Sequence, residues 1–244
     1  MGSYIPSTAA ERQAMLDAIG LKTVEDLYAA VPASAKLNKL NLPDGLSEFE
    51  AAAAIEALAE KNRRYRSIFR GAGSYDHYIP AIVKTVTSKE EFVTACTPYQ
   101  AEISQGVLQS NFEYQTQNCE LTGMDVSNAS VYDGAVAAAE AVMMCLERKK
   151  TGAILPDTVD PQVLEVVKTY CESRSVPVTV LPTQGYAVDP EALKAALTET
   201  TACVYVQSPN FYGVLEDVDA IVEAAHTAGA KVVMAANPVS LGKY

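Results

Sequence analysis

Val176-Pro-Val-Thr-Val-Leu181, Cys203-Val-Tyr-Val-Gln207 and Lys231-Val-Val-Met-Ala-Ala236 are short apolar runs, with Ala153-Ile-Leu155 ahead of them. They recur at intervals of about 25–30 residues and are rich in β-branched side chains, which reads as strands. Each gap between them reads as a helix. Pro161–Arg174 carries Val163, Val166, Val167 and Tyr170 at helical spacing. Asp189-Pro-Glu191 opens a helix with a capping side chain and a proline in the first turn. Asp217–Ala228 stops at Gly229, a C-terminal signal. Strands alternating with helices imply βαβ units, a parallel twisted sheet and right-handed crossovers.

Working back toward the N-terminus, the pattern changes to punctuated helices. Thr8-Ala-Ala-Glu11 is a capping box followed by Met15, Leu16 and Ile19 and stopped at Gly20. Thr23-Val-Glu-Asp26 opens a short helix that must end before Pro32. Ser47-Glu-Phe-Glu50 opens a longer one running through Ile55, Leu58 and Ala59 toward Arg63 and Arg64, acidic first and basic last. Leu37–Pro43 between them reads as extended. These helices are too small for a core of their own, so residues 1–95 are expected to form a helical arm. Residues 96–244 are expected to form a partial α/β large domain. At the other end, Leu241-Gly-Lys-Tyr244 follows an apolar strand with no closing helix. A parallel sheet has both faces covered, so the expectation is a domain cut before its end.

Composition narrows the function classes. The 244 residues carry 19 Lys+Arg against 30 Asp+Glu, a net charge of −11. No surplus of cations exists to neutralise nucleic-acid phosphates. No run of about 18 apolar residues offers a membrane span. Met1–Gln13 lacks the basic and apolar regions of a secretory signal, although MGSYIPS formally matches a myristoylation string. Five cysteines, Cys96, Cys119, Cys145, Cys171 and Cys203, form no C-x-x-C pair, and His77 and His226 are the two imidazoles. That argues against a metal site and for a reducing, cytoplasmic setting with buried thiols.

Four segments concentrate reactive side chains. Gly71-Ala-Gly-Ser-Tyr-Asp-His-Tyr-Ile-Pro80 combines flexible backbone with His77, and reads either as a ligand loop or as a tight turn. Its G-x-G does not continue as a dinucleotide fingerprint. Thr97-Pro-Tyr-Gln-Ala-Glu-Ile-Ser-Gln-Gly106 sets Thr97, Tyr99, Gln100, Glu102 and Ser104 in one polar loop ahead of a helix. Asn128-Ala-Ser-Val-Tyr-Asp-Gly-Ala135 precedes an alanine-rich helix, Val136–Leu146. There Ser130 and Gly134 could hold a phosphate, or Asp133 could serve as the N-cap. Ser208-Pro-Asn-Phe-Tyr-Gly213 and Asn237 follow two strands at their carboxyl ends, where ligands of open α/β sheets gather.

These segments, in this order, together with Tyr4–Thr8 and Cys119–Asp125, resemble subunit 1 (alpha) of the glycine cleavage system P-protein family. Ala101 stands where the family has proline. The family subunit is nearly twice as long, so the likeness is to its N-terminal part. The resemblance implies a fold-type-I pyridoxal-phosphate architecture with a parallel-rich sheet and flanking helices. It implies a reaction in which glycine is decarboxylated and its aminomethyl group passes to the lipoyl arm of H-protein, the cofactor serving as electron sink. It also implies that pyridoxal 5'-phosphate belongs to the beta partner (subunit 2) and that this chain carries none. Asn237 matches the place of the acid that usually faces the pyridine nitrogen, and Lys243 lies too close behind the strand to replace the cofactor lysine. Thr97, Tyr99, Gln100, Glu102, Ser104 and His77 are then expected at the active-site cleft; Ser130, Gly134 and Asn237 at a vestigial or partner-facing cofactor site. Two other classes remain open at this point: a binding or scaffold module, and a self-sufficient pyridoxal-phosphate enzyme.

Overall fold

A computed structural model describes residues 7–37, 40–93 and 97–242. It divides into two compact units, Met1–Ile68 and Phe69–Tyr244, so the Gly71–Pro80 segment belongs with the sheet-bearing unit. Cys96, Lys243 and the first six residues lie outside the described residues.

The first unit holds α1 (Ala9–Ala18), 3-10 turns at Val24–Tyr28 and Ala33–Ala35, and α2 (Glu48–Ala59). Both α-helices start on the expected capping boxes. Glu11 N donates to Thr8 Oγ1 at 3.3 Å while Thr8 N donates to Glu11 Oε2 at 2.7 Å. Ser47 and Glu50 repeat the exchange at 3.3 and 2.9 Å. These reciprocal bonds satisfy donors that a helix start leaves orphaned. The Thr23–Asp26 box opens a 3-10 turn, one step short of an α-helix. Helix α2 stops at Ala59 rather than running on toward Arg64, because Asn62 turns back on it: its N and Nδ2 both donate to Ala59 O, at 3.0 and 3.1 Å. The basic residues therefore lie past the helix end. Leu16 is the one buried side chain among the described residues of this unit.

In the second unit α3 (Ala81–Thr87) and α4 (Gln105–Thr122), the latter closed by left-handed Gly123, precede α5 (Gly134–Cys145). Then follow β1 (Gly152–Pro156), α6 (Pro161–Ser173), β2 (Val178–Leu181), α7 (Pro190–Ala196), β3 (Thr201–Gln207), α8 (Val218–Thr227) and β4 (Lys231–Ala235). The sheet runs β2-β1-β3-β4 and is parallel throughout. Ile154 pairs with Thr179 and Val204, and Tyr205 with Val233. Strand β2 starts two residues later than the apolar run, past Pro177, whose carbonyl still accepts from Ala153 N at 3.0 Å. A proline lacks the N–H that a ladder needs. Strand β3 starts two residues earlier than its run, because Thr201 and Ala202 are buried and Thr201 pairs with Gly152.

Period-two alternation fills two cores, one on each face. Ala153, Leu155, Cys203 and Tyr205 pack with α5 and α6, around Val142, Val167 and Cys171. Ile154, Val204 and Val206 pack with α7 and α8, around Leu193, Ile221 and Ala225. Helices pack on both faces over β1 and β3, while Val180 of β2 and Met234 of β4 stay exposed, and the sheet's carboxyl edge is left to loops.

Candidate active site

Three loops meet at the carboxyl edge: Asp157–Asp160 after β1, Pro182–Asp189 after β2, and Ser208–Asp217 after β3. Their centre is a buried carboxylate. Glu216 Oε1 accepts from Thr158 Oγ1 at 3.0 Å and from Asn210 Nδ2 at 2.7 Å, and Oε2 accepts from Val188 N at 2.8 Å. Asn210 Nδ2 also donates to Tyr186 O at 2.8 Å, and its Oδ1 accepts from Tyr212 N and Val214 N at 3.0 and 3.1 Å. The Ser208–Pro209 bond is cis. Phe211 N donates to Thr158 O at 3.0 Å, tying the β3 loop to the β1 loop. Asp160 N donates to Gln207 Oε1 at 3.0 Å, and Asp160 caps α6 through Gln162 N at 2.8 Å. Just inside, burial first and the Asp160 charge second push the Tyr205 phenol up to about 12.

The Gly71–Ser74 turn reaches this edge. Gly73 has φ +83°, and a Cβ there would sit 2.9 Å from Asp160 Oδ2. Left-handed backbone and close approach to the α6 start both require glycine. A cleft of about 380 Å³ opens there, lined by Arg70, Ser74, Asp160, Gln162 and Phe211. A second, of about 390 Å³, lies beside Ser208, Glu216, Met234 and Leu241.

The candidates read from sequence fall into three groups. The Thr97–Gly106 loop leads into α4 as expected and folds on itself: Tyr99 N donates to Thr97 O at 3.0 Å, Ile103 N to Gln100 O at 3.2 Å and Gln105 Nε2 to Glu102 O at 2.7 Å. Tyr99, Gln100 and Glu102 are exposed, and Ser104 is half-buried at the N-cap. His77 lies beyond the turn in an exposed stretch. Ahead of α5, Asp133 takes the cap, accepting from Val136 N at 2.8 Å, with Gly134 as the first helical residue and Ser130 exposed. Asn237 follows β4; its Oδ1 accepts from Val239 N at 3.0 Å and its carbonyl from Ser240 N at 2.8 Å.

The Ser208–Gly213 segment marks the loop that holds Asn210, but no local signal gives Asn210 a role or points to Glu216, Thr158 or the contact of Gly73 with Asp160. Glu216 follows two apolar residues and precedes an N-cap, so nothing local distinguishes it from a surface acid.

The described residues do not fit a pyridoxal phosphate held by this edge. Asp133 puts a carboxylate where a helix start would receive a phosphate. The Asn237 amide is engaged in its own turn and carries no charge to offer a pyridinium. The two lysines bonded around the sheet lie at its other end: Lys150 Nζ donates to Ala228 O at 3.1 Å and Lys231 pairs with Glu147. At that end the Cys145 thiol is pulled down, first by a hydrogen bond from Cys203 and further by the Lys231 charge.

The family model described as "Glycine cleavage system P-protein" matches residues 2–243. A probable glycine dehydrogenase (decarboxylating) subunit 1 from Geobacillus sp. (strain WCH70) is 47% identical over 98% of this chain and 54% of its own length. The protein of the same name from Carboxydothermus hydrogenoformans is 46% identical over 98% of this chain and 55% of its own length. A crystal structure of glycine decarboxylase (P-protein) of the glycine cleavage system, in inhibitor-bound form, superposes with TM-score 0.87 at 38% identity, covering 99% of this chain and 55% of that one. The chain spans about half the length of the curated relatives it matches.

Proposed function

Because the chain belongs to the glycine cleavage system P-protein family, we propose that it forms the N-terminal part of subunit 1 of glycine dehydrogenase (decarboxylating). In this reading the subunit works with subunit 2 (beta) in a cytoplasmic heterotetramer that decarboxylates glycine and hands the aminomethyl group to the lipoyl arm of H-protein. The pyridoxal 5'-phosphate of the assembled enzyme is assigned to subunit 2, in keeping with the misfit of Asp133 and Asn237 to that group. Residues 1–95 are read as the arm and residues 96–244 as the large-domain portion, with the boundary between the compact units falling inside that arm, after Ile68.

Within the cleft this chain supplies polar contacts. Thr97, Tyr99, Gln100 and Ser104 carry donors for a carboxylate, Glu102 an anion for an ammonium, and His77 stands on the neighbouring segment. Glycine offers almost no apolar surface, so its recognition must come from such contacts. Ser130, Gly134 and Asn237 are read as a former cofactor cradle now facing the partner. The observation that carries the reading is the superposition on glycine decarboxylase over 99% of the chain at TM-score 0.87.

Glycine–bicarbonate exchange by the full-length subunit, by subunit 2 and by their mixture tests it. Exchange should appear only on mixing, in a complex that copurifies. Equal exchange by either subunit alone, or no complex, overturns it. Losing one hydrogen bond to a charged group costs about 1.5–3 kcal/mol, roughly ten- to hundredfold in rate. Tyr99→Phe and Glu102→Gln should therefore lower exchange by that factor while the complex still forms.

A further inference from the structure

Asn210 is fully buried and Glu216 nearly so. Every described partner of the Glu216 carboxylate is a donor: the Thr158 hydroxyl, the Asn210 amide and the Val188 N–H. The carboxyl oxygens of Glu216 thus act only as acceptors in these bonds. The amide of Asn210 completes the set by fixing Tyr186 O on one side and the Tyr212 and Val214 N–H groups on the other. Three loops, far apart in sequence, are thus pinned through two side chains. What they present is aromatic: the Tyr186 and Tyr212 rings lie 4.8 Å apart, and Phe211 meets Tyr212 edge-on at 5.6 Å. Tyr186 and Tyr212 are exposed to solvent although the backbone beneath them is locked.

We propose that Asn210 and Glu216 are a positioning pair, fixing Tyr186, Phe211 and Tyr212 at the carboxyl edge in the arrangement that glycine turnover requires. The proposal rests on the functional reading above. It assigns the pair no contact with substrate; they act through the aromatic loop. Charged groups on the neighbouring loops are already engaged: Asp217 caps α8 through Ala220 N at 3.1 Å, Asp189 caps α7 through Glu191 N at 3.0 Å, Asp160 caps α6, and Asp157 accepts from Thr183. All four are acids, so none of them offers a cation to a second carboxylate placed beside Glu216.

Two variants of the full-length subunit, assembled with its partner, test the pair. Glu216→Gln must set an amide donor against either Val188 N–H or Asn210 Nδ2, and should lower exchange roughly ten- to hundredfold. Asn210→Asp places a carboxyl 2.7 Å from Glu216 Oε1. Two carboxylates at that distance hold one proton between them; that proton restores the bond at low pH, and its loss at higher pH sets two charges against each other and drives the loop apart. Exchange by this variant, relative to wild type, should drop about tenfold or more between roughly pH 6 and pH 8.5. Amide hydrogen exchange of residues 208–214 should speed up over the same range. Wild-type turnover per complex in both variants, even at reduced yield, assigns the pair to folding alone and overturns the proposal. Flat pH dependence and unchanged loop protection in Asn210→Asp also overturn it. If the wild-type complex shows no glycine exchange, the functional reading fails, while loop protection still decides whether the lock exists.

Discussion

The sheet of residues 152–235 and the helices of residues 7–132 draw on the same kinds of side chain and use them oppositely. In the sheet, Leu155, Leu193, Tyr205 and Val206 are all but sealed. In the helical stretch Phe49 is 84% exposed, Phe69 97% and Tyr132 100%. The difference lies in topology. A βαβ unit brings its own cover, since each crossover helix returns onto the strands it connects. Apolar residues of the first stretch, by contrast, stay exposed among the described residues. Local rules thus suffice to form both regions; the helical stretch exposes large apolar side chains along its length, whereas those exposed in the sheet region, such as Tyr186, Tyr212 and Met234, lie on its loops and edge strand.

The largest effect that would sharpen this contrast is at Glu216. Glu216→Ala leaves Thr158 Oγ1 and Val188 N without this acceptor and Asn210 Nδ2 with Tyr186 O alone, at about 1–3 kcal/mol for each buried donor left unsatisfied. Urea unfolding of the whole chain should show that loss. Next, Leu193→Ala in the sealed core should cost about 2–5 kcal/mol. Phe49→Ala in exposed α2 should stay within about 0.5 kcal/mol in the same assay and instead weaken association with the partner subunit. Equal costs at Leu193 and Phe49 would break the comparison.

Much of this was readable from residues alone, for reasons that also mark the boundary. Capping boxes at Thr8–Glu11 and Ser47–Glu50 are local and were placed correctly, as were the strands, to within two residues. Pro177 and the buried hydroxyl of Thr201 shifted the strand starts, and Asn62 ended α2 early. The Thr158–Asn210–Glu216 cluster was invisible because its members come from three loops that only the folded sheet brings together. Gly73 looked like a generic turn glycine; its contact with Asp160 spans a comparable distance in sequence.

Smaller effects follow from single backbone and cap features. Gly73→Ala forces a left-handed residue and a Cβ onto Asp160 Oδ2, costing about 1–3 kcal/mol, which a lowered thermal midpoint would report. The smallest concerns pH. The Thr8 backbone and hydroxyl hold Glu11 below the usual carboxylate range, and the Ser47 hydroxyl and backbone do the same for Glu50. Their folded values are depressed, so their contribution is present above the ordinary carboxylate range and is lost as pH falls through the folded values. Helical circular dichroism of residues 1–68 alone should decline slightly on acidification, earlier than in the sheet-bearing unit.

Amide hydrogen exchange on the chain alone and on the full-length subunit joined to its partner tests the central contrast most directly. Strand β3 should be protected in both states, whereas α2 and α4 should exchange rapidly in the chain alone and gain protection on assembly. Slow exchange of α2 and α4 in the chain alone, matching β3, would contradict the account.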